Sequence, residues 1–129
     1  QIKMQNIQLD LSKDPCVVVG DPQQLKQVFM NLIINALHAT GGCGDISIAI
    51  YRRQTVVQIV VKDSGIGIKP EHLCKIFDPF FTTKPTGKGT GLGLAICYGI
   101  VDVHNGRIEA HSEGAGKGAT FTITLPLAA

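Results

Sequence analysis

The chain has 129 residues, 44% of them hydrophobic and 17% charged, and a formal net charge of +2. That is enough chain to bury a core without disulfides or a structural metal, and it predicts one globular domain over residues 1–129. The charge demands neither nucleic acid nor a membrane surface, and no apolar run is long enough to cross a bilayer.

At the start, IQLDL and CVVVGD predict a hairpin at one edge of a sheet. From Asp21, DPQQLKQVFMNLIINALHA offers an N-cap, then Pro22 at the first helical position, where its missing N–H is harmless. Leu25, Val28, Phe29, Leu32, Ile33, Ala36 and Leu37 then recur at three- and four-residue steps, which predicts an amphipathic helix. After the turn GGCGD, the segments 46–51 and 56–63 predict two strands of a hairpin. A short helix over about 70–76 follows Pro70. The irregular stretch FDPFFTTKPTGKGTG leads to a helix from about Leu92 to His104, closed by Asn105-Gly106. Segments 107–112 and 119–127 are the last strands. In the final one Phe121, Ile123 and Leu125 alternate with Thr120, Thr122 and Thr124, so one face is buried and the other wet. A sheet with one polar face takes helices on the opposite face only, which predicts an α+β fold, a two-layer sandwich of a mixed, mostly antiparallel sheet with helices on one face.

Cys16, Cys43, Cys74 and Cys97 are widely spread, with no CxxC pair and no histidine at metal-ligand spacing. Reduced, partly buried thiols in a cytosolic domain are expected rather than a zinc site or a disulfide framework. The N-terminus lacks a signal pattern, so an anchor of a membrane-bound parent would lie outside this segment.

Four segments carry chemistry. Gly87, Gly89, Gly91 and Gly93 stand at the entrance of a helix, although a glycine inside a helix costs roughly 1 kcal/mol relative to alanine. Their GxGxGxG spacing follows a loop, which excludes the dinucleotide fingerprint GxGxxG, and Lys88 is followed by Gly89, which excludes the P-loop. What remains is an anion site at a helix N-terminus, helped by Lys84 and Lys88, or a plain flexible loop. On the first helix, Gln27, Asn31, Asn35 and His38 form a polar stripe beside the apolar face. Amide oxygens one turn apart suit a hard cation such as Mg²⁺; they equally suit buried backbone groups in need of partners. Asp63 ends an apolar strand before Ser64-Gly65-Ile66-Gly67. There a carboxylate either accepts the exocyclic N–H of adenine or closes an Asx turn. EGAGKGATF is explained by a tight hairpin.

In this order, NLIINALHA, DSGIGI, FDPFFTTK, GTGLGLA and GAGKGATF resemble the N, G1, F, G2 and G3 boxes of the ATP-binding catalytic domain of bacterial sensor histidine kinases. That domain belongs to the GHKL superfamily and has the Bergerat fold. The likeness covers nearly the whole chain, and FDPFFTTK is most similar to the nitrogen-regulation type. The resemblance implies ATP and Mg²⁺ as cofactors, with Asn35 coordinating the metal and Asn31 assisting. Asp63 would bind the adenine amino group, with Gly65, Gly67, Ile68 and Thr120 shaping the base pocket. Phe77, Phe80 and Phe81 would hinge and pack the ATP lid. Gly89, Thr90, Gly91, Leu92 and Gly93 would present amides to the phosphates. His38 stands in the nucleotide site where many members carry Lys, and Ala39 where many carry an aromatic, which leaves Lys84 and Lys88 as candidates for phosphate neutralisation.

Hydrolytic members resemble this helix but place a Glu four residues before the metal-binding Asn, where this chain has Asn31. A neutral amide takes no proton from water, so transfer to a nucleophilic imidazole is expected over direct hydrolysis; a hydrolytic ATPase and a serine kinase of the anti-sigma type are the alternatives. His38, His72, His104 and His111 lie outside the H-E/D-x-x-x-P context of family phosphoacceptors. The resemblance thus implies a phosphoacceptor histidine on a separate dimerisation domain, a downstream response regulator and a cytoplasmic setting. The parent protein would be dimeric and this segment monomeric, binding Mg-ATP and phosphorylating itself negligibly. His104, at a helix C-terminus, is expected to favour the dipole when charged.

Overall fold

The computed structural model describes residues 5–11, 15–81 and 92–128. In chain order its elements are β1 (Gln5–Asp10), α1 (Pro22–Thr40), β2 (Gly44–Arg53), β3 (Val56–Asp63), α2 (Pro70–Leu73), α3 (Gly93–Val103), β4 (Arg107–His111) and β5 (Ala119–Pro126). The strands form one sheet in the order β1-β2-β3-β5-β4. Every pairing is antiparallel except β1 with β2.

Local sequence explains α1 well. The Asp21 side chain accepts the Gln23 N–H at 2.9 Å, Pro22 opens the helix, and Gly41 ends it in a left-handed conformation. Its buried side, Val28, Leu32 and Ala36, lies against one face of the sheet. The register aligns Ile46 with Asp63, Val61 with Phe121 and Ile108 with Ile123, so these side chains share that face. Cys97, Ile100 and Val101 of α3 complete a single core between the sheet and the two long helices. The result is the expected two-layer α+β sandwich.

Three details differ from the sequence reading. The N-terminal segments make no hairpin: β1 runs parallel to β2, from Gln5 opposite Gly44 to Asp10 opposite Ala49. A parallel pair needs a crossover, and here α1 lies within it. Val17, in the segment expected to be the partner strand, instead accepts the Ala128 N–H at 2.7 Å, beyond the end of β5. The threonine face of β5 is half-buried rather than wet. Cys43 and Cys74 are exposed, while Cys97 is fully buried, and all four thiols are free.

His104 has a second role. Its Nδ1 sits 2.7 Å from the Ile100 carbonyl oxygen, and Nε2 accepts the Asp21 N–H at 3.0 Å, so the ring joins the end of α3 to the start of α1. A depression of about 420 Å³ beside it, lined by Gly20, Val103 and Leu127 among others, contains none of the residues singled out for chemistry.

Leu32 is 1% exposed at the centre of this core. Leu32→Ala is expected to lower unfolding stability in urea by about 2–5 kcal/mol, the usual range for a leucine truncated in a packed interior.

Candidate functional site

The loop after β3 is built around one carboxylate. Asp63 is 5% exposed, and it is the one buried charged side chain among the described residues. Its Oδ1 accepts the Gly65 N–H at 2.8 Å, and the Ala119 N–H of the neighbouring strand also favours the ion. Burial nevertheless raises its pKa above the ordinary carboxylate value, because lost hydration outweighs these N–H groups.

The glycines of SGIGI are needed for packing. A Cβ on Gly65 would lie 2.3 Å from the Ala39 carbonyl oxygen, because the loop is pressed onto the last turn of α1, where Ile66 N–H donates to that same oxygen at 3.0 Å. Gly67 has φ of 73°, and a side chain there would run into the Gly114 carbonyl. The loop is clasped from the other side by the turn before β5. Gly118 N–H donates to the Gly65 carbonyl at 3.1 Å and Gly116 N–H to the Ile66 carbonyl at 2.6 Å. Ser112 Oγ accepts from Ile68 N–H at 3.0 Å and donates to the Gly118 carbonyl at 2.6 Å. Asp63, Gly65, Gly67 and Ile68 thus form one interlocked unit between α1 and the turn 112–118.

On α1, Asn31 and Asn35 are half-buried on the flank beside α3, and Asn31 Nδ2 donates to the Gly93 carbonyl at 3.4 Å. Among the described residues the Asn35 side chain has no hydrogen-bond partner. His38 is exposed one turn further on. Leu92 caps α3 without a side-chain bond, its carbonyl accepting Ile96 N–H at 2.9 Å, and Gly93 is the first helical residue. Lys84, Lys88, Gly89, Thr90 and Gly91 lie outside the described residues.

Over residues 20–129 the chain matches the family of histidine kinase-, DNA gyrase B-, and HSP90-like ATPases. The chain belongs to that family. It is 46% identical over 110 residues to the sensor histidine kinase ZraS of Escherichia coli K12, a match covering 85% of this chain and 23% of that protein. It is 45% identical over 114 residues to sporulation kinase C of Bacillus subtilis 168, covering 88% of this chain and 26% of the relative. The chain therefore spans about a quarter of the length of these curated relatives. Among solved structures, the catalytic domain of histidine kinase ThkA superposes with a TM-score of 0.83 at 38% identity, covering 95% of this chain and 80% of that one.

Within this ATPase domain, one sequence assignment needs correction. Thr120 does not join the pocket: the register pairs Asp63 with Ala119, and in a pleated strand the next side chain points to the opposite face of the sheet, away from Asp63. Ala119, 7% exposed beside the carboxylate, holds the place assigned to Thr120. Phe80 is 72% exposed with φ of 68°, and most of the lid it was assigned to lies outside the described residues. The other two phenylalanines pack. Phe77 meets Phe121 edge-on at 6.4 Å and Tyr98 at 5.7 Å, and Phe81 meets His72 at 5.2 Å. The sequence reading also missed Ser112 and the Ala119 N–H. The alternation in ATFTITL was the available signal for the latter, since it puts Ala119 on the same side as Phe121.

A raised carboxylate pKa means that the folded state disfavours the ion. The contribution of Asp63 to stability is fully present below the ordinary carboxylate pKa of about 3.9 and is lost as pH rises through the raised value. Asn at this position keeps an oxygen for the Gly65 N–H and carries no charge. Asp63→Asn is therefore expected to raise the Tm of the nucleotide-free domain at pH 7, the gain shrinking on acidification as wild-type Asp63 takes up its proton. Differential scanning calorimetry across pH checks both parts.

Proposed function

We propose that this domain binds Mg-ATP and delivers the γ-phosphoryl group to a histidine on a separate phosphoacceptor domain, as the catalytic part of a sensor histidine kinase in two-component signalling. The observation that carries the reading is where the charge lies. The one buried carboxylate among the described residues is Asp63, at the end of β3, and α1 from Pro22 to Thr40 contains no Asp or Glu. Asp63, ionised, accepts the exocyclic N–H of adenine and repels the carbonyl oxygen that guanine carries there. Gly65, Gly67 and Ile68 let the loop close around the base.

The donor set on α1 fits Mg²⁺. Asn35 has a half-buried amide without a partner among the described residues, and Asn31 lies one turn away on the same flank. Both offer neutral oxygens, which ligate a hard cation without adding charge beside phosphates. When bound, the metal neutralises phosphate charge and orients the γ-phosphoryl group. Amides of Gly89, Thr90, Gly91, Leu92 and Gly93 are assigned to the phosphates, with Lys84, Lys88 and His38 at the periphery. With no carboxylate on α1 to deprotonate water, the site positions ATP for a nucleophile that needs no activation, an imidazole. A response regulator receives the phosphoryl group in turn. The reaction draws on cytoplasmic ATP, so the domain works in the cytoplasm; among the described residues no helix is long and apolar enough to cross a membrane. The parent protein is a dimer through its phosphoacceptor domain, and this domain alone is a monomer.

Calorimetry on the 129-residue chain is expected to show Mg²⁺-dependent ATP binding. Asp63→Asn should weaken it about ten-fold or more, the value of a hydrogen bond to a charged group. Binding should also weaken as pH falls through the raised pKa of Asp63. With a histidine-bearing helical domain supplied in trans, labelled ATP should give an acid-labile phosphoprotein. Rapid phosphate release by the chain alone, lost in Asn35→Ala, would instead identify a hydrolytic ATPase, and an acid-stable product a serine kinase.

A further inference from the structure

The loop after β3 and the turn before β5 meet at one hydroxyl. Ser112 directly follows β4, and its Oγ accepts from Ile68 N–H at 3.0 Å and from Gly114 N–H at 3.2 Å while donating to the Gly118 carbonyl at 2.6 Å. The Gly114 carbonyl, at 3.3 Å, is a longer second acceptor for the same proton. A hydroxyl has one hydrogen and two lone pairs, so these bonds use all of its capacity. The other links between loop and turn among the described residues are backbone to backbone, from Gly118 N–H to the Gly65 carbonyl at 3.1 Å and from Gly116 N–H to the Ile66 carbonyl at 2.6 Å. Together the bonds form a chain that starts at Asp63. Its Oδ1 takes the Gly65 N–H at 2.8 Å, the Gly65 carbonyl takes the Gly118 N–H, the Gly118 carbonyl takes the Ser112 proton, and Ser112 Oγ returns to the loop at Ile68. Without the hydroxyl, Ile68 N–H, Gly114 N–H and the Gly118 carbonyl each lose this partner.

We propose that Ser112 is a positioning residue for the adenine base: its hydroxyl ties the 64–68 loop to the 112–118 turn and so holds Asp63, Gly65 and Ile68 in the arrangement that receives the base before nucleotide arrives. This rests on the adenine reading of Asp63 given above. A pocket wall already held in its binding conformation loses less freedom when ligand enters, so a tie behind the wall contributes to affinity through the backbone it holds. The Gly118 carbonyl also belongs to the same peptide unit as the Ala119 N–H, which favours the Asp63 ion; a fixed carbonyl fixes the N–H of its own plane. Ser112 bonds none of the described residues assigned to metal and phosphates, so its effect falls on the base end of the nucleotide.

Base preference separates positioning from a purely structural role. Ser112→Ala removes the hydroxyl and all its bonds. Ser112→Cys keeps the shape of the side chain and bonds far more weakly, and it carries the same test should the alanine variant fail to fold. Affinity for ATP is measured by calorimetry with Mg²⁺ on the 129-residue chain, and affinity for GTP by displacement, beside thermal unfolding of each variant. The Gly65 amide resonance, which reports the bond to Asp63, is followed by NMR in the nucleotide-free protein.

The expected result for Ser112→Ala is a loss of about three- to ten-fold in affinity for ATP, the value of one or two modest hydrogen bonds. Affinity for GTP should be unchanged, so that the preference for ATP falls by the same factor, and the Gly65 amide resonance should shift. Ser112→Cys is expected to lie between Ser112→Ala and wild type in each. A lowered Tm with the preference for ATP kept at its wild-type value marks a purely structural role and overturns the inference, and so do equal losses for ATP and GTP. A Gly65 amide indifferent to Ser112→Ala overturns it even where ATP is bound as proposed. The adenine reading fails separately: a wild-type chain that binds ATP and GTP alike, or an Asp63→Asn variant with wild-type affinity for ATP, removes that reading and the inference with it.

Discussion

An ionised carboxylate sealed under a protein surface is tolerated only where something compensates for its lost water, and the pocket end of this domain is organised around that constraint at Asp63. Removing a carboxylate from water carries a penalty of several kcal/mol in real proteins. The Gly65 N–H, at 2.8 Å, returns part of it, about 1.5–3 kcal/mol for a bond to a charged group, and the Ala119 N–H also favours the ion. The balance remains unfavourable, which is why the pKa is raised. The loop that carries the Gly65 N–H must turn back sharply under the strand end, and it does so by pressing Gly65 onto Ala39 and Gly67 onto Gly114. Glycines that read in the sequence as a nucleotide signature are thus required before any nucleotide is present. The carboxylate keeps unused acceptor capacity, which a ligand N–H can fill.

The crossover of the chain fixes the rest. Because β1 and β2 are parallel, α1 returns the chain along the sheet, and its final turn arrives where β3 ends. There Thr40 Oγ1 bonds Gln5 Oε1 at 2.8 Å, and the Ala39 carbonyl receives Ile66 N–H. At the other end the Asp21 N–H is held by His104. A helix pinned at both ends and packed along one side has little freedom to rotate, so Asn31 and Asn35, near its middle, are presented on a rigid element at a fixed setting relative to Asp63.

The elements with strong local periodicity were legible in the sequence. Helix α1 starts and stops where its cap signals put it, and both strands of the central hairpin and the last strand lie where their apolar runs predicted. The C-terminal end of α3 was legible too, with Asn105 in the left-handed conformation at φ of 60°. Pairing was not legible, because alternation tells which face a residue occupies and not which strand lies beside it; β1 therefore read as half of a hairpin when its partner is some forty residues away. The helix expected over 70–76 stops at Leu73, where successive turns carry Ile76 and Phe77 into the core. At the site, Asp63 was found from its position at a strand end. Thr120 was assigned from its place in a motif, against the parity that its own strand displays.

The lack of a carboxylate on α1, on which the phosphotransfer reading rests against the hydrolytic one, has a structural side as well as a chemical one. A carboxylate at position 31 would meet the Gly93 carbonyl, which accepts from the Asn31 amide at 3.4 Å. It would have no hydrogen to give there, and it would bring a charge into a half-buried position between α1 and α3. An amide donates to that carbonyl and still has an oxygen to offer. The contact between α3 and α1 therefore favours a neutral side chain at position 31.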